Sequence, residues 1–263
     1  MTPSGRGRRG TPLPSAHARS WWADEEGCRY EQGRPEYPDG VVDLLGDRLA
    51  LAGGTRVLDV AAGTGKLTRL LTRTPAAVTA VEPMPGMRRE LRRRAPRATV
   101  VAGRAELLPF AGDRFEAVTV AQAFHWFDVP KASRELRRVL RPGGRLALVT
   151  NRRRLTQPWL RELWAVVGRY ERLAPRPPSS RTWRADLEAA GDFAGFERHR
   201  LPNLQRFGSL EEFDARFLSI SFVILLAESD RQALLRDLHA VVAGVDPLVV
   251  PLLTEIEVAT RRG

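Results

Sequence analysis

The sequence predicts an α/β fold built on a doubly wound, mostly parallel sheet. Three observations carry that expectation. From Val57 onward, short apolar runs alternate with amphipathic, Arg-rich segments, the signature of βαβ units. A glycine-rich turn, Gly63-Thr64-Gly65, joins the first of those runs to a helical segment. Later, Arg141-Pro142-Gly143-Gly144 stops one helix just before another apolar run.

Taken in order, Arg56 to Val60 reads as a short buried strand and Lys66 to Arg73 as the helix after the turn. Ala77 to Val81 is a second strand, closed by Glu82-Pro83, and Met84 to Arg94 is helical with Pro96 beyond its end. Thr99 to Ala102 and Phe115 to Val120 make the third and fourth strands, Lys131 to Leu140 a helix, and Arg145 to Thr150 the fifth strand. Beyond Asn151 the alternation weakens. Leu155 to Leu173 reads as helix, Ala174 to Ser180 as a Pro-rich loop, and Phe196 to Phe207 as a strand. Two helices are expected within Leu210 to Val242, and a closing strand over Val249 to Ala259. Residues 1–20, rich in Gly, Pro, Ser and Arg without apolar periodicity, read as a disordered tail.

Composition narrows the function classes. The chain has 263 residues, 43% hydrophobic and 28% charged, enough for one full α/β domain with additions. Its longest apolar candidate, Phe222 to Ala227, is far too short to span a bilayer, and the basic N-terminus lacks the apolar region of a signal peptide. A soluble, cytoplasmic protein without membrane partners is expected. The lone Cys28 excludes an intramolecular disulfide and a Cys-based zinc site. His17, His125, His199 and His239 show no i, i+4 pairing, so no metal site is expected. The net charge is +11, and of 42 basic residues only Lys66 and Lys131 are lysine. A basic surface can bind nucleic acid through phosphates. Yet the runs Arg92-Arg93-Arg94 and Arg152-Arg153-Arg154 lack the interleaved aromatics of a stacking platform, and solvated helix faces are the favoured reading.

A glycine-rich strand-to-helix turn lets a ligand approach the backbone closely. Alone it is equally a tight turn packing helix against strand. Asp59 puts an acid beneath the loop, suiting a ligand with an amino group. Glu82 ends the second strand 19 residues after Gly63, near the spacing at which an acid reaches ribose hydroxyls. Leu67 and Thr68 stand where a dinucleotide loop carries its third glycine, which disfavours a nicotinamide dehydrogenase and favours a nucleoside without pyrophosphate.

The segment Val57-Leu58-Asp59-Val60-Ala61-Ala62-Gly63-Thr64-Gly65 resembles motif I of class I S-adenosylmethionine-dependent methyltransferases of the type 11 domain. Val81-Glu82-Pro83-Met84 resembles the acidic motif after it, and 103–110 (Gly103-Arg104-Ala105-Glu106 at its start) the adenine-side segment. Leu140-Arg141-Pro142-Gly143-Gly144 resembles the turn before the fifth strand. The resemblance covers residues 55–150 and implies a seven-stranded Rossmann-like sheet with an antiparallel final strand and S-adenosyl-L-methionine as cofactor. It implies that Ala61 and Gly63 line the methionine part with backbone groups, with Asp59 supporting its ammonium, and that Thr64 and Gly65 belong to the cofactor-binding loop. Glu82 would bond both ribose hydroxyls, with Met84 against the adenine and Pro83 between them also on the cofactor. Ala105 would offer its backbone N–H to the adenine, and Glu106 would stand in where many relatives have aspartate at the position of Arg104.

Two further segments, Tyr30 to Pro38 and Ala121-Gln122-Ala123-Phe124-His125-Trp126-Phe127-Asp128, resemble a small-molecule subgroup that includes the trans-aconitate enzymes. That resemblance implies a lid carrying Tyr30 and Arg34, and an acceptor side carrying Gln122 and His125. His125 is the candidate base or, for a carboxylate acceptor, an orienting group; packing against Trp126 is the alternative. Gln122 contacts cofactor or acceptor, or caps the strand end. The expected layout is a lid and helix over 21–50, a cofactor-binding core over 51–151, and acceptor-pocket elements over 152–263, with helices from 155–190 and 210–243 capping the active site. The expected reaction is methylation of a small molecule, with a carboxylate or hydroxyl oxygen favoured. The alternative is an RNA-binding protein or RNA methyltransferase on the same fold. Oligomeric state is left open.

Overall fold

A computed structural model describes residues 30–174 and 182–263. The basic tail, His17, Cys28 and nearly all of the Pro-rich loop lie outside the described residues.

Residues 30–33 form a helical turn, followed by extended chain and helix α1 (Gly40–Arg48). Then come β1 (Arg56–Val60), α2 (Lys66–Leu71), β2 (Ala77–Val81), α3 (Pro85–Arg94), β3 (Thr99–Val101) and β4 (Phe115–Ala121). A 3-10 turn at Phe124–Trp126 leads into α4 (Val129–Val139) and β5 (Leu140–Arg153). The remainder is α5 (Pro158–Glu171), α6 (Trp183–Ala190), β6 (Phe193–Arg206), α7 (Leu210–Leu218), a 3-10 turn at Val223–Leu225, α8 (Glu228–Val242) and β7 (Val249–Arg261). The boundaries follow local chemistry. Pro85 and Pro158 begin their helices where a missing N–H costs nothing, and the Asp128 side chain caps α4 by accepting from Lys131 N.

The seven strands form one sheet in the order β3-β2-β1-β4-β5-β7-β6. β7 is antiparallel to both neighbours, and β1 to β5 pair in parallel. The expected fold is the observed one. Strand order reverses between β1 and β4, which opens a crevice at their C-terminal ends.

Alternate residues of each strand feed opposite layers. Val57, Ala117 and Ala147 pack with Leu45 of α1 and Leu67 of α2, whereas Leu58, Val118 and Leu146 pack with Leu136 of α4. A separate core unites α5, α7 and α8 through Leu163, Trp164, Phe213, Phe217, Leu234 and Leu238.

The structure corrects the reading that all of 155–190 caps the active site. Leu187 of α6 instead packs on the sheet face with Leu136 and Phe193. β5 and β6 run parallel with β7 between them, and parallel strands need a crossover helix on the sheet face. No helix among the described residues is long and apolar enough to cross a membrane.

Candidate functional site

The loop after β1 is shaped by left-handed backbone. Ala61 has φ 55°, Gly63 φ 59° and Gly65 φ 91°. Gly65 is demanded twice over, because a Cβ there would also meet Leu91 Cδ1 of α3 at 2.5 Å. At the end of the neighbouring β4, Gln122 also has φ 55°. Two non-glycine residues thus hold a conformation costing ~1–2 kcal/mol each, side by side at the crevice. The Gln122 N–H donates to Val149 O at 2.9 Å, which fixes it.

Two acids stand at the ends of β1 and β2. Asp59 is wholly buried and accepts from Thr68 Oγ1 at 2.6 Å and Thr119 Oγ1 at 2.8 Å. Burial outweighs those two donors and lifts its carboxyl to about 6. The structure therefore uses Asp59 as a brace under the loop, away from the cavity surface. Glu82 is 5% exposed and accepts from Gly63 N at 2.9 Å and Met84 N at 2.8 Å. Burial raises it to about 7 against those backbone donors. The carboxylate ties the loop to the start of α3, and the carbonyl of Pro83 accepts from Arg88 at 2.6 Å.

Farther along the crevice, Ala105 is buried in the sheet-face core, leaving only its backbone for a ligand. Glu106 accepts from Asp128 N at 3.1 Å and pairs with Arg104 at 3.4 Å, so it braces the start of α4.

The segment 30–37 is held by α2 at its flanks and by the C-terminal half of the chain at its middle. Glu31, 5% exposed, pairs with Arg69 at 2.6 Å and Lys66 at 3.4 Å, and accepts from the Thr64 hydroxyl. Glu36 pairs with Lys66 and Arg69, both at 2.5 Å. These attractions and hydrogen bonds outweigh desolvation, the largest single influence, and hold the Glu31 carboxyl below its usual range. Between those acids, Arg34 Nη2 donates to Ser219 O at 2.7 Å and Gln205 Nε2 to Gly33 O at 3.0 Å.

These elements enclose a cavity of about 170 Å³. It brings together Tyr30, Arg34, Ala61, Gly63, Thr64 and Gln122. Gly65, Glu82, Pro83, Met84, Ala105, Glu106 and His125 lie outside its lining. His125 sits in the 3-10 turn with its ring 4.9 Å from that of Trp126. Burial, aided by the charge of Arg34, pushes it down to about 4, so it is neutral near pH 7.

The lining also holds residues the sequence reading did not place at the site: Asn151, Arg153 and Arg216. Arg153 ends β5, a strand parallel to β4 that runs on past the β4 end before Gln122, so the rule placing ligands at strand C-termini could have flagged it. Arg216 carries no such signal, because a helix-borne arginine reads as surface until its packing is known.

A methyltransferase domain family matches residues 58–148, the stretch from β1 through β5. The chain is 35% identical over 205 residues to an uncharacterized methyltransferase-like protein of Schizosaccharomyces pombe, covering 77% of this chain and 78% of that one. It is 46% identical over 140 residues to an uncharacterized methyltransferase of Mycobacterium tuberculosis, covering 53% of this chain and 56% of the relative, about half of that protein's length. Among solved structures, a chain assigned as a type II methyltransferase of Anaeromyxobacter dehalogenans superposes with a TM-score of 0.62 at 25% identity, covering 87% of this chain and 97% of that one. The loop, the acid at the end of β2 and these relatives agree: the chain belongs to the S-adenosylmethionine-dependent methyltransferase family.

Proposed function

We propose that the protein methylates an oxygen, carboxylate or hydroxyl, of a small molecule held in the cavity between the Ala61–Thr64 loop and Gln122. The observation carrying this reading is the cavity itself. Its floor is the family's cofactor loop, and over it lies an ion-paired segment that contributes Tyr30, Arg34 and Tyr37 to the lining. The surface arginines give nucleic acid little support, since Arg93 and Arg94 pair with Glu90, and Arg152 with Glu255.

The residues fit the cofactor. Backbone at Ala61 and Gly63 is exposed to the cavity, and a Cβ on Gly63 would meet open space. Arg34 Nε is buried without a partner among the described residues, ready for a carboxylate. In this reading Ala61, Gly63, Thr64 and Gly65 hold the methionine part, with Tyr30 and Arg34 closing over it. Glu82 takes the ribose hydroxyls, Pro83 and Met84 flank the adenine, and Ala105 and Glu106 address its edge. When bound, S-adenosylmethionine supplies an electrophilic methyl on a sulfonium, so positioning accounts for most of the rate. Gln122, held rigid at the end of β4, orients the acceptor. His125 is too weakly basic to match the optimum for proton abstraction near neutral pH, which supports positioning and an acceptor that needs no base, such as a carboxylate.

The test is thermal denaturation with S-adenosylhomocysteine. The melting temperature should rise, and Glu82→Ala should abolish the rise. The reading fails if millimolar cofactor product produces no shift in the intact protein.

A further inference from the structure

Three arginines line the cavity: Arg34 from the N-terminal segment, Arg153 from the end of β5 and Arg216 from α7. None is in an ion pair among the described residues. Glu171 attracts Arg153 only from beyond ion-pair distance. Arg216 is 8% exposed and its Nη1 finds no hydrogen-bond partner, like Nε of Arg34. Instead of a carboxylate, Arg153 and Arg216 share an aromatic ring. Their guanidinium carbons lie 3.5 Å and 5.8 Å from the Trp164 ring centroid, and Arg216 also lies 5.9 Å from that of Phe217.

A buried cation without a counter-ion is costly, and stacking on aromatic rings recovers only part of that cost. Burial and repulsion from Arg34 and Arg153 together lower Arg216 to about 9. Such an arrangement is a site waiting for negative charge. The cofactor does not supply enough. Its carboxylate and ammonium cancel, its sulfonium adds a positive charge, and Arg34 is already assigned to the carboxylate. No acid lines the cavity among the described residues, and Glu31 and Glu36 of the N-terminal segment are engaged by Lys66 and Arg69.

We propose that Arg153 and Arg216, aligned on Trp164, form an anion clamp that binds a carboxylate or phosphate group of the acceptor. The inference rests on the reading that this cavity takes the acceptor. It adds that the acceptor is an anion, and that these two arginines, rather than the cofactor loop, select it. Arg153 and Arg216 are specificity residues: they hold charge in place and take no proton.

The test titrates the full-length protein, with and without S-adenosylhomocysteine, against succinate and inorganic phosphate at constant ionic strength set by chloride. Saturable binding of at least one of the two anions is expected. Arg153→Met and Arg216→Met should each weaken it by about tenfold or more, while the exposed Arg92→Met leaves it unchanged. Affinity for S-adenosylhomocysteine should be preserved in all three. Arg216→Met should melt no lower than wild type, because it removes an uncompensated buried charge. Absence of saturable anion binding in wild-type protein that binds S-adenosylhomocysteine overturns the clamp. So does full anion binding by the two clamp variants, or loss of binding accompanied by a lowered melting temperature. Failure of S-adenosylhomocysteine to bind wild-type protein sinks the donor reading instead, and the cofactor-free titration then judges the clamp on its own.

Discussion

Asp59 and Thr119 stand in register on adjacent parallel strands, and the Thr119 hydroxyl donates to Asp59 Oδ1 at 2.8 Å. With Thr68 bonded to the other oxygen, one carboxylate joins β1, β4 and α2 directly beneath the cofactor loop. Asp59→Ala should therefore destabilise the fold by about 2–4 kcal/mol, since two buried hydroxyls lose their acceptor. Chemical denaturation measures this. A loss below about 1 kcal/mol would show that the brace is dispensable.

With Glu82 on the ribose as proposed, cofactor binding should depend on pH. Cofactor-free protein holds this carboxyl at about 7, and ribose hydroxyls donate best to its ionised form. Affinity for S-adenosylhomocysteine should increase by up to about tenfold from pH 6 to pH 8, and Glu82→Gln should flatten the dependence. Calorimetry across that range decides it. A flat wild-type profile contradicts the assignment.

The same group acts on stability in the opposite direction. Its pKa is raised on folding, so the folded state binds more protons, and stability falls as pH rises from about 4.5 through about 7. Relative to Glu82→Gln, the wild type should lose on the order of 3 kcal/mol across that window. Paired denaturation curves at pH 5 and pH 8 give the difference directly, with the contributions of Asp59 and His125 cancelling.

For His125, the depressed pKa of about 4 predicts a neutral ring at every pH where the enzyme works. kcat/KM should show no break near pH 6.5 that His125→Gln removes, and that variant should cost less than about 100-fold in kcat. A larger loss together with a shifted pH profile would make His125 the base.

Gly33 sets the closure of the N-terminal segment. A Cβ there would come within 2.1 Å of Ala215 O and 2.8 Å of Ser219 Oγ on α7. Gly33→Ala should loosen residues 30–37 and weaken cofactor binding while the sheet stays intact. Hydrogen exchange should register faster exchange confined to that segment. Unchanged exchange would place the clash elsewhere.

Local chemistry in the sequence was enough for the sheet and the cofactor loop. Periodicity marks β1 to β5, because buried parallel strands are continuously apolar and their crossover helices amphipathic. Gly65 and Glu82 announce themselves because a left-handed turn and a strand-end acid are local requirements, met within a few residues of chain. The acceptor wall is different in kind. Arg216 and Arg153 read as two more arginines among 42 basic residues, and α6 reads as part of a helical cap. Only folding brings the end of β5, α7 and the Trp164 ring of α5 together, and only there does Arg216 become a buried cation without a carboxylate, beside the more exposed Arg153. Contacts between residues distant in sequence are set by packing, which leaves no periodic trace. The donor was therefore legible from the chain, while the meeting of Arg153 and Arg216 on Trp164 was decided in three dimensions.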